Sequence, residues 1–270
     1  MAPAASGFFE ERFLIFVSST PLAQLPNYPF ATPESWAAGV RADLLFISQT
    51  RVGALLLRSI RSHSRVVFIE PHAQGLWYCN AITGPEDLIG ARVQYNPGHL
   101  GPGSQCAQRD VAVGGYANQS NETLLHELVH ALRWVSGKNH TKAVSGGLSF
   151  YDNKEEFIAV LTQGIYASEL KRPIRSSHFL HFEIDKELEG SFDFFKTGAD
   201  TYKYVKAFCH ENPFFTRGLA DIDVPFNPIR AYYLKPAQAK AYSHSHTARR
   251  RDHLMPIVKA AKEYLREFFE

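Results

Sequence analysis

The stretch SNETLLHELVHALRWVSG, residues 120–137, predicts one helix with defined ends. We expect Ser120 to be its N-cap, Glu122 lies in the first turn, and Gly137 stands where a helix should end. Apolar residues flank the segment His-Glu-Leu-Val-His on both sides. A polar trio inside an apolar helix is costly to bury without a partner such as a metal ion. Residues 126–130 are therefore the first candidates for a functional site.

The spacing of this segment is typical of a zinc site. His126 and His130 lie four residues apart, so both imidazoles share one helical face and can converge on one tetrahedral ion. Glu127 lies about 100° round the helix from His126, and its carboxylate can reach a metal-bound water without binding the metal. The pattern predicts one zinc ion (Zn2+) per chain and Glu127 as the catalytic base. The alternative is two core histidines with protein partners and a surface glutamate.

A third ligand is expected from a second helix, predicted over Lys154–Leu170, because no histidine follows His130 at the spacing that would complete the site locally. Three acidic residues begin this helix or precede it. We rank Glu156 first, Glu155 second and Asp152 third. The phase of the helix favours Glu156, because the apolar residues three and four positions after it place it on the inward face. The same acids would also complement the positive end of the helix dipole, and both roles can hold at once.

A donor to the oxyanion of the transition state is also needed for hydrolysis. Tyr151, five residues before Glu156, is the first candidate for this catalytic role. Tyr166, His178 and Tyr232 are alternatives that the sequence does not separate.

Composition restricts the partners. The 270 residues carry 29 Lys and Arg against 27 Asp and Glu, a net charge of +2, which argues against a nucleic-acid-binding surface. The basic run Arg249–Arg251 is interpreted as a solvated loop.

Three cysteines without a CxxC pair indicate that the protein folds in a reducing compartment. Met1–Gly7 has no secretory signal pattern, and no apolar stretch is long enough to span a bilayer. We expect a soluble monomer that acts on a protein substrate.

The fold class predicted from these patterns is α+β, with a small mixed sheet packed on the HExxH helix and a helical C-terminal part. One zincin-like catalytic domain is expected over residues 1–270, with its core at about 50–175 and a C-terminal helical extension at about 176–270. The predicted strands are Glu11–Ser18, Val66–Ile69 and Ala91–Tyr95. Besides the two helices already described, helices are predicted over Glu34–Gln49, Gly53–Ser62 and Ile257–Phe269.

Several stretches of the chain resemble known metallopeptidases. Val93–Pro97, the Gly-rich loop after it and Leu124–Leu132 resemble the NleD-type effector zinc metallopeptidases, which bacterial pathogens inject into host cells. Gly53–Ile60 is similar to the helix before the first strand of that family. The Glu-Phe-x-Ala pattern that begins at Glu156 resembles the third-ligand helix of the anthrax lethal factor catalytic domain. The resemblance covers roughly residues 53–170. It implies a secreted endopeptidase, delivered by a specialised secretion system, that cleaves a protein in the cytoplasm of a target cell.

Two other functions compete with this one. The first is a non-enzymatic binding protein with a structural zinc ion, and the second is a metallohydrolase that acts on something other than peptides. Closed structural zinc sites usually have four protein ligands, often cysteines. No cysteine lies near the HExxH helix and Glu127 is present, which favours the enzyme.

Overall fold

The computed structural model describes residues 12–18, 32–72, 81–86, 90–97, 119–140, 151, 153–178, 183–198 and 200–244. The chain divides into two compact units: residues 1–108 with 117–140, and residues 109–116 with 141–270. The predicted helix Ile257–Phe269, the basic run Arg249–Arg251 and the candidate ligand Asp152 lie outside the described residues. The predicted single domain, with its core at about 50–175, stays a prediction.

The first unit combines helices and strands. In chain order its elements are β1 (Ile15–Val17), α1 (Pro33–Ser48), α2 (Arg51–Arg61), β2 (Val66–Glu70), β3 (Ile82–Glu86), β4 (Gly90–Gln94) and α3 (Ser120–Val135). The predicted helices in this unit and two of its predicted strands are confirmed, whereas β1 is shorter than the strand predicted over Glu11–Ser18. Sequence reasoning missed β3.

Among the described residues, the strands form one four-stranded sheet in the order β1-β2-β4-β3. The pairs β1–β2 and β2–β4 are parallel, and β3 runs antiparallel to β4 at the edge. Side chains alternate along the strands: Val67, Ile69, Ala91 and Val93 are fully buried. Helix α3 packs against β3 and β4, and against α1 and α2. The predicted α+β class, with a small mixed sheet packed on the HExxH helix, is therefore confirmed.

The ends of α3 agree in part with prediction. The N-cap is Gln119 and not Ser120, and the Gln119 backbone N–H donates to the Glu122 carboxylate at 3.3 Å. The Ser120 hydroxyl instead donates to Asp43 of α1 at 2.9 Å, so the predicted capping side chain is used in a tertiary contact. At the other end Gly137 has a φ of +66°, the left-handed conformation that commonly ends helices, and the predicted stop is confirmed.

The second unit is mainly helical in its described part. Its elements are α4 (Lys154–Glu169), two 3-10 helices (Lys186–Leu188 and Asp193–Thr197), α5 (Thr201–Glu211), α6 (Pro213–Ala220), α7 (Pro228–Leu234) and α8 (Pro236–His244). The predicted α4 is confirmed, as is a helical C-terminal part. The unit has an aromatic core in which Phe157 stacks on Phe194 and Phe194 contacts Phe226. Among the described residues, no helix is long and apolar enough to cross a membrane.

Candidate metal centre

The two histidines of α3 meet at their outer ring nitrogens. The Nε2 atoms of His126 and His130 are 3.1 Å apart, and both residues are buried. Two nitrogens bound to one tetrahedral zinc ion at about 2.0–2.1 Å would be separated by about 3.3 Å. The observed distance is near that value and is also the length of a hydrogen bond between the two rings, so both imidazoles lie on one face of α3 and can converge on one zinc ion. The ring planes are nearly perpendicular, at 75°.

The carboxylate of Glu127 is held by the edge strand of the sheet. Glu127 is 6% exposed. The Thr83 hydroxyl on β3 lies 2.7 Å from Glu127 Oε2 and 3.1 Å from the Glu127 backbone oxygen. A hydrogen bond to a charged acceptor is stronger than one between neutral groups. The residue predicted to be the base therefore has one carboxylate oxygen fixed by a partner from the sheet.

Sequence reasoning missed Thr83, and the reason is local. Thr83 is followed by Gly84 and Pro85, and both residue types are depleted in strands. The segment becomes a strand through its pairing with β4, where Thr83 lies opposite Val93. A weak signal was available, since Ile82 and Thr83 are both β-branched.

The predicted third-ligand helix orients its two acidic residues differently. Glu155 is 2% exposed. The Glu156 side chain is 18% exposed, and its Oε2 lies 3.1 Å from His178 Nε2. The phase argument placed Glu156 on the inward face of α4, whereas the more deeply buried of the two is Glu155. Which of them binds a metal stays a prediction.

The candidate oxyanion donors have separate environments. The Tyr151 hydroxyl donates to the Ser176 carbonyl at 2.9 Å, and burial raises the pKa of Tyr151. To bind an oxyanion, this hydroxyl would have to leave Ser176, and its catalytic role stays a prediction. Tyr166 is fully buried, whereas Tyr232 is partly exposed on α7, where burial is the main cause of its raised pKa. His178, the remaining alternative, is 34% exposed and faces Glu156.

Cys209 can be set aside as a nucleophile. It is buried in the second unit, and burial raises the pKa of its thiol to about 12. A reactive cysteine needs a pKa near or below neutrality. Cys79 and Cys106 lie outside the described residues.

Comparisons of the chain with models of protein families, with curated proteins and with solved structures gave no significant match. The resemblance to the NleD-type peptidases therefore stays a prediction, and the functional argument depends on the residues themselves.

Proposed function

We propose that this chain is a zinc-dependent endopeptidase of zincin-like fold. His126, His130 and Glu156 would bind one zinc ion, and Glu127 would be the catalytic base. The observation that best supports this function is the HExxH geometry of α3. Two buried imidazole nitrogens lie 3.1 Å apart, and the intervening glutamate is oriented by a separate hydrogen bond from Thr83.

When bound, zinc would supply Lewis acidity towards a carbonyl oxygen and lower the pKa of a coordinated water. The residues of the chain would do the rest. Glu127 would take the proton of the attacking water and deliver it to the leaving amine. Thr83 would hold one oxygen of Glu127 and so fix the orientation of the carboxylate that takes the proton.

Peptide is the substrate class that we favour, because β3 is an edge strand next to the HExxH helix. The backbone groups on the outer side of an edge strand can pair with an extended peptide. The resemblance supports two further proposals: that the protein is secreted, and that it acts in the cytoplasm of a target cell. The composition supports the proposal that it is a monomer.

The first experiment measures zinc and cleavage together. Purified protein, loaded with one equivalent of zinc, is incubated with a peptide library made from a digested proteome, and new peptide ends are identified by mass spectrometry. We expect about one zinc per chain and cleavage of a defined set of peptides. Glu127→Gln should keep its zinc and lose about 10² to 10⁴ in rate.

Three outcomes would contradict the proposal in different ways. Failure of the wild-type protein to bind zinc would exclude the metal site. Zinc loss in Glu127→Gln would make Glu127 a ligand. Bound zinc without cleavage of any peptide would favour a structural zinc ion or a non-peptide substrate. As a control, replacing both His126 and His130 by Ala should abolish zinc binding.

A further inference from the structure

An irregular segment after α4 is fixed by a buried arginine. Arg175 is 6% exposed. Its Nε donates to the Ser177 carbonyl at 2.5 Å, one terminal nitrogen donates to the His178 carbonyl, and the other lies 3.4 Å from Gln163 Oε1. Burying a guanidinium is unfavourable unless its donors are hydrogen-bonded. Arg175 meets this requirement largely through the backbone of the segment that it holds.

A tyrosine holds the remaining carbonyl of the same segment. The Tyr151 hydroxyl donates to the Ser176 carbonyl, so the carbonyls of residues 176, 177 and 178 all accept from Tyr151 or from the buried Arg175. The Tyr151 ring packs edge-on against Phe157 of α4 at a centroid distance of 5.3 Å. The segment is therefore anchored to the same helix that carries Glu156.

The side chain displayed by this anchored segment is His178. Its Nε2 lies 3.1 Å from Glu156 Oε2, within hydrogen-bond distance. Glu156 is itself fixed at the start of α4, since its backbone N–H donates to the Asn153 side chain at 3.0 Å. The carboxylate thus has one oxygen directed at an imidazole whose backbone is held in place.

We propose that His178 is the positioning residue for the carboxylate of Glu156, a role that rests on the proposed function. His178 Nε2–H donates to one carboxylate oxygen and so fixes the orientation in which the Glu156 carboxylate would bind zinc. Carboxylate ligands in metal sites are themselves hydrogen-bonded, and loss of such a partner typically lowers metal affinity by about 10- to 100-fold. Tyr151 and Arg175 act one step further away, because they hold the backbone of His178.

The test uses zinc alone as the probe and the full chain, with affinity measured by chelator competition. We expect His178→Ala to weaken zinc binding by about 10- to 100-fold, and Glu156→Ala to weaken it by more. His178→Gln should restore affinity to within about threefold of wild type, since a glutamine nitrogen donor can replace Nε2–H. His210→Ala is the matched control and should leave affinity unchanged, because His210 is an exposed residue of α5.

A second variant tests the positioning role even if His178→Ala fails to fold. Tyr151→Phe keeps the ring and removes only the bond to Ser176, so a smaller loss of zinc affinity is expected, with an unchanged circular dichroism spectrum. His178→Ala at wild-type affinity, with Glu156→Ala impaired, would overturn the role of His178 and leave the proposed function standing. A loss in His178→Ala as large as that in Glu156→Ala, not restored by Gln, would make His178 a direct ligand and also overturn the positioning role. A wild-type chain that binds no zinc would overturn both proposals.

Discussion

Thr83→Val removes the hydroxyl that holds the predicted base and changes little else. Valine has nearly the shape of threonine and a high preference for strands, so β3 should keep its pairing with β4. The lost contacts are the 2.7 Å hydrogen bond to Glu127 Oε2 and the longer one, 3.1 Å, to the Glu127 backbone oxygen. Because Glu127 is 6% exposed, water can replace that donor only in part.

The size of the effect follows from the type of hydrogen bond. Hydrogen bonds to charged groups contribute about 1.5–3 kcal/mol, and about 1.4 kcal/mol corresponds to a factor of ten. We therefore expect kcat to fall by about 10- to 100-fold. The loss should lie mainly in kcat and not in KM, because the base acts in the transition state. It should not exceed the loss in Glu127→Gln.

The assay uses a peptide identified by the library experiment, with kcat and KM measured separately. Thr83→Ser keeps the hydroxyl and should retain most of the activity, and Ile82→Val is a matched control on the same strand. Zinc affinity should be unchanged in Thr83→Val, because Thr83 bonds to Glu127, which is the proposed base and not a proposed ligand. In a Glu127→Gln background the Thr83→Val change should have little further effect. An unchanged kcat, or an equal loss in both backgrounds, would refute the positioning of Glu127 by Thr83.

Three further predictions concern zinc and stability. Glu156→Ala should weaken zinc binding more than Glu155→Ala, measured by chelator competition, and the opposite order would reassign the ligand. Burial raises the pKa of Asp43, so its carboxyl favours folding below the unfolded pKa of about 3.9, and that advantage is lost as the pH rises through the folded pKa. The melting temperature of Asp43→Asn relative to wild type should therefore increase from about pH 4 upwards and then level off, whereas a pH-independent difference would contradict this. Gly137→Ala should lower the free energy of unfolding by about 1 kcal/mol, measured by urea titration, since Gly137 has a φ of +66°; no loss would mean that the helix end adapts.

Local geometry was predictable and tertiary geometry was not. The sequence places His126 and His130 on one face because the separation of i and i+4 is a property of the helix itself. Likewise, Gly137 ends α3 through its own backbone conformation. Ser120 failed as the predicted N-cap because its hydroxyl bonds to Asp43, 77 residues earlier in the chain. No pattern within α3 contains that information.

The same limit applies to the residues that hold the two key carboxylates. Thr83 and Glu127 are 44 residues apart, and His178 follows Glu156 by 22 residues. The phase argument for α4 failed to identify the more buried acid because it considered only the apolar residues of the helix. The Glu156 side chain instead faces His178, which belongs to an irregular segment without periodicity.

The partners of the two carboxylates differ in a way that suits the roles proposed for them. A threonine hydroxyl can donate to a carboxylate and can also accept from a carboxylic acid. Thr83 can therefore stay bonded to Glu127 before and after the proton transfer, as a general base requires. An imidazole Nε2–H, the form that the positioning role assigns to His178, can only donate, so its bond to Glu156 needs an oxygen that accepts. A metal ligand must remain ionised, whereas a base must change its protonation state. The chemistry of the two donors thus provides an argument, separate from the HExxH spacing, for assigning Glu127 to proton transfer and Glu156 to zinc.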